Sequence, residues 1–147
     1  MQFKKSILLA IIITLSSTAN AALQTYNYTD EDSSVRVTSG RAKPCSNTAG
    51  KYTPRRNPDG SPGVSSANNN EITLLCLTTV GDTCKADIYA TRDCSGDVVG
   101  KAELSLKSKA VTMVISTNDK YVFTSENGGT VLKVNYPTSH FSEVTKK

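Results

Sequence analysis

The chain has 147 residues, 37% of them hydrophobic and 20% charged, and a formal net charge of +4. That length suits one domain with a core of its own. The small charge excess gives no case for nucleic acid as a partner, so only the distribution of charge along the chain is informative.

The N-terminus has the layout of a secretory leader. Lys4 and Lys5 precede an apolar run, Ile7 to Leu15, and Ala19-Asn20-Ala21 supplies the small residues of a cleavage site. The run is shorter than the roughly 20 residues that cross a bilayer, and no cysteine follows it to take a lipid. Residues 1–21 are therefore expected to be a cleaved signal peptide, and 22–147 a single exported domain, in the periplasm or outside the cell. Loss of Lys4 and Lys5 leaves 15 basic and 13 acidic residues, a net charge of +2.

Beyond the leader, apolar residues recur with a period of two, which puts alternate side chains on one face of a strand. Strands are expected at Leu23 to Tyr28, Ser34 to Thr38, Glu71 to Val80, Cys84 to Thr91, Val98 to Leu106, Lys109 to Ser116, Lys120 to Ser125 and Thr130 to Tyr136. These stretches are rich in Val, Ile, Thr and Tyr. Turn residues separate them, and none shows a helical stripe. The fold class that follows is all-β: an immunoglobulin-like or related antiparallel β-sandwich of about eight strands, with one long loop over residues 40–70.

Two hairpins carry register information. A two-residue turn at Asn127-Gly128 sets Phe123 against Leu132 and Tyr121 against Val134, all on one face. A three-residue loop at Thr79-Val80-Gly81 sets Cys76 against Cys84 and aligns Ile72 and Leu74 with Ala86, Ile88 and Ala90. The four cysteines, Cys45, Cys76, Cys84 and Cys94, are even in number and lie in the exported part, which points to two disulfides rather than a metal site. The second register favours Cys76–Cys84, leaving Cys45–Cys94; the pairing Cys45–Cys84 with Cys76–Cys94 stays open. An extended strand would hold Cys84 and Cys94 about 20 Å apart, against the roughly 4.4–6.8 Å between Cα atoms that a bridge requires.

The stretch from 40 to 70 breaks the pattern. Seventeen of its residues are Gly, Pro, Ser or Asn, and Tyr52 and Val64 are its only sizeable apolar side chains. Long loops in compact domains are usually functional or unstructured. Six basic residues and no acidic one lie between Arg36 and Pro58, just after Asp30-Glu31-Asp32. Lys51, Tyr52, Arg55 and Arg56 are the candidate ligand-binding residues, suited to an anionic surface such as a phospholipid headgroup or a glycan, or to a protein partner. A solvated loop whose charges keep it in water is the structural alternative.

Catalytic patterns are absent from the sequence. His140 is the one histidine, flanked by serines too close in sequence for triad geometry. The carboxylates Asp87, Asp93, Asp97, Glu103 and Asp119 are scattered, and Asp93-Cys94-Ser95-Gly96-Asp97 lacks the rest of a calcium loop. Asn27-Tyr28-Thr29 matches a glycosylation acceptor. No glycine-rich phosphate loop occurs, so no cofactor, metal or enzyme activity is expected. The resulting expectation is a secreted, non-catalytic binding protein, a bacterial accessory or virulence factor in setting. An adhesive subunit assembling through strand edges, a small enzyme inhibitor and an enzyme whose carboxylates the spacing does not expose are the alternatives.

Overall fold

A computed structural model describes residues 22–138; the expected signal peptide and His140 lie outside the described residues. Eight strands form two four-stranded sheets. The first has the order β3-β1-β8-β7, built from β1 (Leu23–Asn27), β3 (Gly63–Ala67), β7 (Val122–Glu126) and β8 (Val131–Asn135). The second has the order β2-β4-β5-β6, built from β2 (Ser34–Val37), β4 (Thr83–Tyr89), β5 (Val98–Ser105) and β6 (Ala110–Ser116).

The sheets face each other across a shared core. Ile88 and Val99 from the second sheet pack with Tyr121, Phe123 and Val134 on the first, and Tyr121 stacks on Tyr136 with ring centroids 5.9 Å apart. Burying such side chains contributes about 1.5–3 kcal/mol each. Gly100 lies beneath Phe123, where an added Cβ would come within 2.6 Å of the ring. An all-β sandwich-like architecture is thus present. It is not wholly antiparallel, because β1 runs parallel to β8. Its strand order also differs from the immunoglobulin arrangement, which joins the first, second, fifth and fourth strands in one sheet.

Seven of the eight expected strands form, and the eighth is replaced. Glu71 to Val80 does not make a strand: residues Asn69–Leu75 form α1. Asn68 accepts a hydrogen bond from the Glu71 N–H while the Glu71 carboxylate accepts one from the Asn68 N–H, a reciprocal capping box. Ile72, Leu75 and Cys76 follow the helical i, i+3, i+4 spacing and point inward, whereas Leu74 is 64% exposed. In so short a run both periods fit the apolar residues, and the cap decides.

The strand missed by sequence is β3, inside the stretch expected to be loop. Its inward positions are Gly63, Ser65 and Ala67, too small to give an apolar alternation. Gly63 is required there, since a Cβ would sit 1.8 Å from the Pro54 carbonyl oxygen. At the β7–β8 turn the register is Phe123 against Val134 and Ser125 against Leu132, with residues 127–130 in the loop. The slip from the expected register is two residues, an even number, so the inward face is preserved.

Both expected disulfides are present. Cys45–Cys94 and Cys76–Cys84 have Cα separations of 6.0 and 5.9 Å. The second bridges no hairpin; it ties the C-terminus of α1 to the start of β4.

Candidate functional site

The segment from Pro44 to Pro62 is a wall of the sandwich. Cys45 is bonded to Cys94, and a 3₁₀ turn follows at Ser46–Ala49. The chain then runs along the open side between the sheets. Thr53 exchanges two backbone hydrogen bonds with Ser33, at 2.7 and 2.8 Å, and its hydroxyl meets that of Ser65 on β3 at 2.6 Å. The Val37 N–H donates to Pro44, and the Arg56 N–H donates to Thr29. The outer edge of β2 is covered in this way, an arrangement that blunts edge-to-edge association, while β3 meets the segment through the Ser65 side chain.

Because this segment is extended, the candidate ligand-binding residues divide between its two sides. Lys51 and Tyr52 face the space between the sheets, while Arg55 and Arg56 face an open cleft. Lys51 is paired with Glu71 of α1 at 2.9 Å, which holds the Glu71 carboxyl below its ordinary range together with the Asn68 backbone. Tyr52 lies under the guanidinium of Arg92, 4.3 Å from ring centroid to carbon, a cation–π contact.

The cleft is lined by Asp30, Asp32, residues 54–60 and Arg92. Arg56 forms a two-pronged pair with Asp30, at 2.7 and 3.2 Å. Asp32 accepts from the Arg55 N–H at 2.9 Å and from Arg92 at 3.2 Å. The Arg55 side chain is exposed and has no ion-pair partner among the described residues. The basic loop is therefore matched by the acidic run that precedes β2. Arg92 is the residue sequence reasoning missed. The signal for it was indirect: pairing Cys45 with Cys94 brings the end of β4 against this loop.

A second feature lies between the sheets, a cavity of about 160 Å³. Its walls include Thr25, Val37, Ile72, Leu75, Leu104 and Leu132, with the Cys76–Cys84 disulfide. Its cause is readable in the ladders. Ala86 and Ala102 are direct neighbours at the centre of the second sheet, flanked by Val37 and Val114. On the first sheet, Thr25 is paired with Ser65. Small side chains on both inner faces leave volume that large ones would fill. Its outer rim is formed by the exposed Ala49 and Ser66 with the partly exposed Lys51 and Glu71.

Among the described residues, no three His, Cys, Asp or Glu side chains gather into a metal-ligating group. Asp93 accepts from the Ser95 N–H and hydroxyl, closing the local turn, with its carboxyl lowered chiefly by that hydroxyl. Asn27 is fully buried, with its side chain bonded to Thr29 and the Glu31 carbonyl, so the glycosylation acceptor is closed in the folded chain. No described helix is long and apolar enough to cross a membrane.

Fold and surfaces together define the class: a doubly disulfide-linked β-sandwich with one covered side. Comparison with protein-family models, curated proteins and solved structures gives no match.

Proposed function

We propose that the protein acts outside the cytoplasm as a non-catalytic binding protein, and that its ligand surface is the cleft of Asp30, Asp32, residues 54–60 and Arg92. The leader-like N-terminus and the fully paired cysteines support export, since disulfides persist in oxidising compartments. The observation that most supports the surface is the set of guanidiniums: Arg55, exposed and without an ion-pair partner among the described residues, beside Arg56 and Arg92. A phosphate, sulfate or carboxylate group would meet Arg55 first and then exchange with Asp30 and Asp32 for the other two. Exposed ion pairs contribute only about 0–1 kcal/mol each, so little opposes that exchange, and guanidinium forks suit such oxyanions.

The ligand class is an anionic surface, a phospholipid headgroup or glycan. Three aspartates share the cleft with the three arginines, so ligands that also carry a cationic group are favoured over purely anionic ones. Binding to phosphatidylglycerol vesicles and to an immobilised sulfated glycan, each at two salt concentrations, tests this. The Arg55→Ala/Arg56→Ala variant is expected to bind more weakly and with a flatter salt dependence. Equal affinity for the two proteins with no effect of salt would remove the reading.

A further inference from the structure

The cavity between the sheets lies apart from the charged cleft and is built differently. We propose that it is a binding site for a small apolar molecule, an aromatic or branched hydrocarbon group of about benzene size. A volume of about 160 Å³ is close to that of an apolar cavity of roughly 150 Å³ that excludes water and takes up benzene or xenon.

Three observations carry the inference. First, four of the hydroxyls in the lining are already engaged by the protein. Thr53 and Ser65 bond each other, Ser46 accepts from the Val35 N–H, and Ser34 accepts from the Cys94 N–H. No buried side-chain nitrogen or oxygen among the described residues lacks a partner. Water needs two to four polar partners to be held in such a space, whereas a hydrocarbon needs none.

Second, the walls are fixed against collapse. Cys76–Cys84 is itself part of the lining, and Ser46 adjoins the bridged Cys45. A cavity persists where its surroundings cannot relax into it. Third, there is a way in. The rim is partly open and carries the Lys51–Glu71 pair, whose side chains are 39% and 31% exposed, between the wall segment and a helix of only seven residues. Parting that exposed pair widens the entrance from one side.

Titration of the oxidised chain with benzene, followed by methyl-resolved NMR, tests the site. Saturable shifts are expected at Ala86, Ala102, Ile72 and Leu132, with none at the outward-facing Met113 and Ile115, and the unfolding temperature should rise with benzene concentration. Ala102→Leu, and Ala86→Val as a milder filling, should each weaken binding by at least about tenfold, while Arg55→Ala leaves it unchanged. Unshifted inner methyls at millimolar benzene, or shifts that survive both fillings, would overturn the proposal. Because Arg55 takes no part, this result is independent of the fate of the cleft.

Discussion

Glu31 joins three parts of the chain at one carboxylate. It accepts hydrogen bonds from the Tyr121 hydroxyl and, at 3.0 Å, from the Lys120 ammonium. Burial alone would raise its pKa, but the bonds from Tyr121 and Lys120 together outweigh that effect and leave it below the ordinary glutamate value. A carboxyl depressed in the folded state contributes stability that is full above its unfolded pKa and lost as pH falls through the folded one. The urea midpoint is therefore expected to fall on acidification below the ordinary glutamate range, and Glu31→Gln should make that decline shallower. An identical acid limb in the variant would show that the carboxylate is not held this way. At Gly100 the constraint is steric. Gly100→Ala pushes a methyl group into Phe123 and should cost about 1–3 kcal/mol, read from the same urea transition.

At the scale of elements, the two disulfides hold different amounts of chain. Cys45–Cys94 spans 49 residues and Cys76–Cys84 only 8. On the loop-entropy account, replacing the first pair with serines should cost about 4 kcal/mol and the second about 2.5 kcal/mol. Reversal of that order in urea unfolding would mean that the longer bridge closes a segment already ordered without it. The wall segment gives a related expectation. Its backbone is bonded to Ser33 and Thr29, so trypsin should cut slowly after Lys51, Arg55 and Arg56 in the oxidised protein and quickly once the disulfides are reduced. Helix α1 depends on its cap, and Asn68→Ala should cost about 1 kcal/mol.

The whole molecule is packed unevenly. Around Tyr121 and Phe123 the sheets interdigitate, while the Ala86–Ala102 pair leaves the cavity beside them. At about 24 cal/mol per Å³, a space of this size costs on the order of 4 kcal/mol relative to a filled core. Ala102→Val should recover part of this, raising unfolding free energy by about 0.5–2 kcal/mol. A fall in stability would mean that the inner faces already meet at that position.

The alternating strands were legible because a half-buried strand needs only its own residues to declare its faces. The cysteine pairing was also legible, although the hairpin invoked for Cys76 and Cys84 does not exist. A short separation and a shared inward face brought them together through a helix end instead. The opposite holds for β3, whose Gly63, Ser65 and Ala67 carry no strand signal and pair because β1 offers a free edge. The candidate site was half legible. Arg55 and Arg56 do line a cleft, but nothing near position 92 announces its arginine, and the pairing of Lys51 with Glu71 depends on a helix the alternation concealed.

The sequence by itself determined what local chemistry can fix: strand periodicity, paired cysteines, and a proline- and glycine-rich stretch unable to bury itself. Tertiary structure alone decided that this stretch closes the side of the sandwich, that its cations meet the acids of residues 30–32, and that small residues distant in sequence enclose a common space. Each of those outcomes depends on which surfaces the two sheets bring within a few ångströms of one another. No residue's own preference encodes that distance.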